Sequence, residues 1–301
     1  MAKTTIHTID LQFQGVSHAI AAYLIKVENK GILIESGPGS TVSALQSALA
    51  AMDLELSDIT HVLLTHIHLD HAGAAGRLAQ AGATICVHPL GAPHLINPEK
   101  LIASATRIYG DSMGTLWGDF FPVPESKIKV VEHAVELSIH GINIVPFHTP
   151  GHAEHHVCYL VEGTCFTGDV GGVRIPGTQY LQVPMPPPEL NFEKWYSTLS
   201  LLRGIGMEKI APTHFGVFED PRWQLAQVEE ILQATEKWME NVMPGNPPIE
   251  VLREEYLNWI KSESAGVVMD DQLVKDYDLA NPLGMSADGI MRYWKKTRQQ
   301  L

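Results

Sequence analysis

The chain reads as an α/β protein, and three observations carry that reading. Short β-branched runs alternate with helical stretches over about the first 215 residues, Gly and Pro punctuate the joins, and from Asp220 onward the pattern turns helical. Residues 23–27, 31–35, 61–65 and 84–88 have the composition of strands, and residues 41–52 and 72–81 have the periodicity of helices. A second series of strands follows at 141–147, 157–161 and 164–167. The layout predicts two comparable halves, each a sheet with helices over one face.

Two stretches, 108–125 and 171–191, read as long loops with aromatic content, the kind of segment that forms lids and binding loops. Asp220 followed by Pro221 reads as an N-cap with Pro in the first helical turn. Leu225, Val228, Leu232, Thr235, Met239 and Val242 then recur at spacings of three or four, and the Pro-rich segment 244–248 ends that helix. Further helices are expected at 249–262 and 286–298. The expected organisation is one domain over residues 1–216 and a helical extension over 217–301 packed on it.

The composition narrows the functional class. With 301 residues, 45% hydrophobic and 18% charged, the chain can bury a substantial core without needing a metal or disulfide merely to fold. The balance of 21 basic against 34 acidic residues gives a net charge of −13, which argues against nucleic acid and anionic membrane surfaces as partners. The first ten residues, MAKTTIHTID, lack the apolar core of a signal peptide, and no run approaches the roughly 18 apolar residues of a spanning helix. A cytoplasmic protein acting on a small molecule is expected. Cys86, Cys158 and Cys165 form no CxxC pair and read as buried free thiols.

The 15 histidines are the chemical signal. In LLTHIHLDHAGAAG an apolar run ends in His66, His68, Asp70 and His71, and small residues follow. A strand that delivers four donors into the loop at its C-terminal end has the geometry of a site, because ligands bind where the strands of an α/β sheet stop. Period-two spacing lets His66 and His68 face one point, while Asp70 and His71 come from the next turn. His152 in TPGHAEHH, Asp169 in CFTGDVGG and His214 in APTHFG each follow an apolar run and stand beside Gly, Pro or Thr. Five His and two Asp therefore converge.

HIHLDH, the later GH, the GD and the final TH together resemble the metallo-β-lactamase superfamily, in that family's order and approximate spacing over roughly residues 5–216. The resemblance implies a four-layer αββα sandwich of two facing mixed sheets with helices outside. It implies that His66, His68 and His152 hold one metal, that Asp70, His71 and His214 hold a second, and that Asp169 bridges both. The spacing of HTPGH and FTGD looks most like the glyoxalase II and lactonase branches. His68 stands where the oxygen-reducing diiron branch carries Glu, and Glu35 stands where the family more often has Asp, at a position that is not a metal ligand.

The implied activity is hydrolysis of a small ester, thioester or lactone by attack of a metal-bridging hydroxide, with Asp70 handling the proton. Imidazole and carboxylate suit two divalent cations, zinc foremost, with iron or manganese also accepted by such donors. Hydrolysis of a β-lactam amide, sulfur oxidation at a single iron, and metal binding without turnover are the competing readings. His156 is a candidate for orienting a ligand, and Tyr180 a candidate for touching the substrate carbonyl. Tyr109 and Trp117 are candidates for an apolar pocket mouth, and Arg174 reads as a surface residue that could meet a carboxylate.

Overall fold

The structure is a computed structural model that describes residues 5–267 and 270–299. Residues 1–4, on which the reading of the N-terminus partly falls, lie outside it. Its first sheet has six strands in sequential spatial order: β1 (Ile6–Asp10), β2 (Ala21–Val27), β3 (Lys30–Ile34), β4 (Ile59–Leu63), β5 (Thr84–Val87) and β6 (Ile128–Val130). β1 to β3 run antiparallel, and β3 to β6 are parallel. The second sheet has the order β11-β10-β9-β8-β7, from β7 (Leu137–Ile139), β8 (Ile142–His148), β9 (Val157–Val161), β10 (Thr164–Phe166) and β11 (Lys209–Ala211). Only its β10–β11 pair is parallel.

The strands are apolar on both sides because both sides are covered. Tyr23, Ile25, Ile32, Ile34 and Leu63 meet Val157, Tyr159, Val161 and Phe166 in the layer between the sheets. Alternate residues of the first sheet, Leu24, Leu33, Val62 and Ile85, point the other way, onto α1 (Val42–Ala50), α3 (Ala75–Gln80) and α4 (Ala92–Ile96). Between α1 and α3 lies the single turn α2 (Leu69–Ala72). The outer face of the second sheet packs Cys158, Cys165 and Ile210 against α7 (Phe192–Gly204), α8 (Pro221–Val242), α9 (Ile249–Glu263) and α11 (Leu283–Tyr293). Two mixed sheets flanked by helices, with a helical C-terminal region, agree with the expected architecture. All three cysteines are free and buried, and none of the described helices is long and apolar enough to cross a membrane.

The structure departs from the sequence reading in particular elements. The stretch expected as a loop at 108–125 begins in the last turn of α5 (Glu99–Tyr109) and contains α6 (Met113–Trp117). β4 stops at Leu63 rather than residue 65, so His66 and His68 stand on the connection to α2. A helix absent from the sequence reading, α10 (Asp271–Ala280), precedes α11. Asp220 precedes α8 without capping it. Its carboxylate is instead held by both terminal nitrogens of Arg174, at 2.6 and 3.0 Å. Arg174 is therefore a buried structural cation, stacked over Phe218 and Trp223, and not a surface group.

The C-terminal helices dock closely. Gly289 of α11 lies where a Cβ would collide with Met185 O, whereas a Cβ on Gly284 would sit 3.9 Å from Arg253 Cδ, an ordinary contact. Gly289→Ala should therefore destabilise the protein by about 1–3 kcal/mol through overpacking. Gly284→Ala should be neutral or stabilising by up to about 1 kcal/mol through helix propensity. Urea unfolding midpoints of the two variants check this, and equal midpoints would remove the close approach.

Candidate metal centre

Every donor of the cluster comes within a few residues of a strand's C-terminal end, all at the same edge of the sandwich. His66, His68, Asp70 and His71 follow β4, His152 follows β8, Asp169 follows β10 and His214 follows β11. The turns that hold them need glycine. Gly151, at φ +146°, leaves no room for a Cβ, which would lie 2.6 Å from Trp195. Gly168, at φ +48°, would place its Cβ 2.5 Å from Thr65 Oγ1. These are the glycines of the GH and GD motifs, so the motifs are turn geometry as well as ligand chemistry.

The donor atoms fall into two sets. His66 Nε2 lies 2.9 Å from His68 Nδ1, and His152 Nε2 lies 3.1 Å from the same nitrogen. Asp169 Oδ2 is 3.3 Å from His152 Nε2. In the second set, His71 Nε2 is 3.4 Å from Asp70 Oδ2 and 3.2 Å from Asp169 Oδ1, and His214 Nε2 lies 3.5 and 3.4 Å from the same two oxygens. Asp169 thus offers one oxygen to each set.

Three groups of donors, His66, His68 and His152; His66, His71 and Asp169; and Asp70, His71 and His214, are each compact enough to hold a cation. His71 Nε2 and Asp169 Oδ1 are buried without a hydrogen-bond partner, as expected of atoms shaped to face a metal. The residues fit divalent cations.

The outer nitrogens fix which ring atom faces inward. His71 Nδ1–H donates to Glu35 Oε1 at 2.9 Å, His152 Nδ1–H to Pro184 O at 3.0 Å, and His214 Nδ1–H to Ala19 O at 2.6 Å. His66 Nδ1–H donates to Thr65 Oγ1 at 3.1 Å, whose own hydroxyl donates to Glu35 Oε1. Each of these four imidazoles therefore turns Nε2 toward the centre.

Charge divides the cluster. Burial pushes His66 well below the ordinary histidine value, and burial with the neighbouring His152 brings His68 to about 3. Burial likewise lowers His152, so this set carries neutral imidazoles with free lone pairs. Burial also opposes charge on His71, but Asp70, Asp169 and Glu35 outweigh it and hold the ring well above its ordinary value. Asp169 and Asp70 hold His214 at about 9 against the same burial. Burial would raise Asp70 and Asp169, yet His71 beside them keeps both well below the usual carboxylate range. Protons on His71 and His214 thus balance charge that divalent cations would balance in their place.

The other candidates take different positions. His156 is fully buried beneath the cluster, stacked on His66 at 5.1 Å between ring centroids, with Nδ1 bonded to Thr149 Oγ1 at 2.8 Å. Tyr180 lies apart from the donors, against the Tyr277 ring at 5.0 Å, and is not among the residues lining the cavity. His155, given no role in the sequence reading, lines the cavity with its ring 5.8 Å from His68 and Nε2 3.5 Å from Glu189. Its only sequence signal is its place in the HAEHH run. The cavity, about 330 Å³, opens over His68, Asp70, Asp169 and His214. Tyr109 and Trp117 line it, as expected of a pocket mouth, and α10 and α11 supply the opposite wall.

The model of the metallo-beta-lactamase superfamily matches residues 18–214. A metallo-beta-lactamase fold-containing protein of Sulfurisphaera tokodaii is 24% identical over 77% of this chain and 86% of its own. An atrochrysone carboxyl ACP thioesterase of Aspergillus fumigatus is 26% identical over 66% of this chain and 38% of its own. A hydroxyacylglutathione hydrolase of Aeromonas hydrophila is 30% identical over 49% and 44%. The chain thus spans less than half the length of the last two. Among solved structures, a metallo-beta-lactamase family protein of Thermus thermophilus superposes with a TM-score of 0.63 over 97% of this chain and 93% of its own, at 17% identity. With the family model covering both halves of the sandwich and the span from before His66 to His214, the chain belongs to the metallo-beta-lactamase superfamily.

Proposed function

We propose that this protein is a two-metal hydrolase of a small ester, thioester or lactone. One cation is assigned to His66, His68 and His152, the other to Asp70, His71 and His214, and Asp169 is shared. The observation that carries this reading is the pair of donor sets joined through the two oxygens of Asp169 and opening onto a cavity. The superfamily is mostly one of hydrolases, and the thioesterase and hydroxyacylglutathione hydrolase among the relatives favour acyl transfer to water.

Two divalent cations held by these residues would supply a water whose pKa lies near neutrality and a Lewis acid for the acyl oxygen. The protein's own contribution is orientation. The hydrogen bonds from the outer nitrogens lock four imidazoles before anything binds, so little reorganisation remains for the reaction. Of the two carboxylates in the donor cluster Asp70 is the more exposed, its side chain 22% accessible against 5% for Asp169. That exposure lets the Asp70 carboxylate, through the oxygen it does not turn to His71 and His214, take a proton from the attacking water and return it to the leaving group. The apolar parts of the cavity walls offer water no partners, which favours its displacement by substrate and strengthens the electrostatic contacts that remain.

Metal-replete protein should hydrolyse members of a panel of p-nitrophenyl esters, thioesters and acyl lactones and lose that activity on chelation, with restoration by zinc. Absence of turnover across the panel, or one iron per chain with oxygen uptake, would contradict the hydrolase. Asp70→Asn should lower kcat by about 10²–10⁴-fold, the range of a general acid–base group, while elemental analysis shows a much smaller loss of metal. Parallel losses of metal and turnover would reduce Asp70 to a ligand.

A further inference from the structure

The cavity over the donor cluster is closed by parts of the chain far apart in sequence. Leu101, Ala105 and Ile108 of α5 and Trp117 of α6 form one wall, and Leu279 at the end of α10 and Met285 of α11 form the other. The lining is mostly apolar, with Lys100, Ser104, Glu189, Asp278 and Asn281 set among it, while His68, Asp70, Asp169 and His214 make the floor. Against the faces of Leu101, Ala105, Ile108, Leu279 and Met285 a polar acyl group would lose hydration that those side chains cannot replace. An apolar group would gain by leaving water.

One side chain in this chamber has hydrogen-bonding capacity it does not spend well. The Tyr109 hydroxyl reaches across from α5 to α11 and donates to Met285 Sδ at 3.2 Å. A thioether is a weak acceptor, so a good oxygen acceptor entering the chamber would replace it at a gain. Burial pushes the phenol up, with the Asp70 carboxylate adding to the effect, so it stays protonated and able to donate. Its ring is held edge-on to Trp117, 5.0 Å between centroids, and Trp117 is in turn stacked on Phe13 at 5.5 Å. The donor is therefore carried on a packed aromatic group with few alternative positions.

We propose that the chamber takes an ester or thioester whose acyl group is bulky and apolar, and that Tyr109 binds it by turning its O–H from Met285 Sδ to an oxygen of the reacting carboxyl group. This rests on the hydrolase reading for the reaction but not for the occupant. The carboxylate product keeps the carbonyl oxygen and the acyl body, its second oxygen coming from water in place of the departed alkoxide or thiolate, so its binding can be measured without turnover.

Titration calorimetry of metal-replete protein with octanoate and with acetate tests the occupant. Octanoate should bind at least tenfold more tightly than acetate. Tyr109→Phe should weaken octanoate about fivefold or more with an unchanged melting temperature, and Met285→Leu, which removes only the weak acceptor, should leave it as tight. The corresponding p-nitrophenyl esters test the role in turnover: Tyr109→Phe should lower kcat for p-nitrophenyl octanoate more than it raises KM. Equal binding of octanoate and acetate, or octanoate binding indifferent to Tyr109→Phe, would overturn the proposal even if both esters are hydrolysed. Tyr109-dependent octanoate binding with no turnover of either ester would overturn the hydrolase reading and support the occupant proposed here.

Discussion

The arrangement depends on one buried carboxylate. Glu35, fully buried immediately after β3, accepts from the Thr65 hydroxyl and backbone N–H, from His71 Nδ1–H at 2.9 Å and from the Thr213 hydroxyl at 2.9 Å. Thr65 follows β4 in the first sheet, and Thr213 follows β11 in the second. A single side chain thus ties the two sheets together beneath the centre, orients His71 directly and orients His66 through Thr65. Its backbone is held at φ +68°, an uncommon conformation for a residue with a side chain. A carboxylate buried this deeply persists only when fully hydrogen-bonded, and here each partner belongs to a segment that also carries a metal-facing histidine.

The sandwich makes this convergence possible because strands of both sheets end at one edge. β3 and β4 are parallel neighbours in one sheet, and β10 and β11 are parallel neighbours in the other. Each therefore releases its following turn on the same side, and the turns meet. The second feature this topology provides is room: α5 and α6 belong to the first half, α10 and α11 to the C-terminal region, and the gap between them is the chamber. The centre and the walls are accordingly built by different parts of the chain. Their chemistry can vary independently, since binding groups reside on loops and flanking helices while the donors sit on the rigid edge.

How much of this is legible in the sequence follows from the range of each interaction. The donor residues are readable because each is local: an apolar run, a tight turn and a His or Asp within a few positions, as at His66, His152, Asp169 and His214. The sheets are readable in outline for the same reason, although three-residue strands such as β6, β7 and β11 carry too few residues to show a period. The partners of Glu35 are not readable, because they lie 30, 36 and 178 positions away and are brought together only by the packing of two sheets. Arg174 misleads for a related cause: nothing near it in sequence announces Asp220, which pairs with it, or Phe218 and Trp223, which stack on it. Tyr180 and Tyr109 are both loop or helix-end aromatics by composition. Only the docking of α10 and α11 decides that Tyr277 covers the first and that the second borders the cavity.

In the proposed two-cation centre the second site depends on Glu35 through His71. Zinc titration of the metal-free protein and of Glu35→Gln, followed by calorimetry with elemental analysis, tests it most directly. Two equivalents are expected in the unaltered protein; in the variant the site containing His71, which Glu35 holds directly, should weaken by about 10–100-fold, the usual cost of losing a partner behind a metal-binding imidazole, and the site containing His66, held only through Thr65, should weaken less. Binding of a single equivalent by the unaltered protein, or two sites of unchanged affinity in Glu35→Gln, would contradict it.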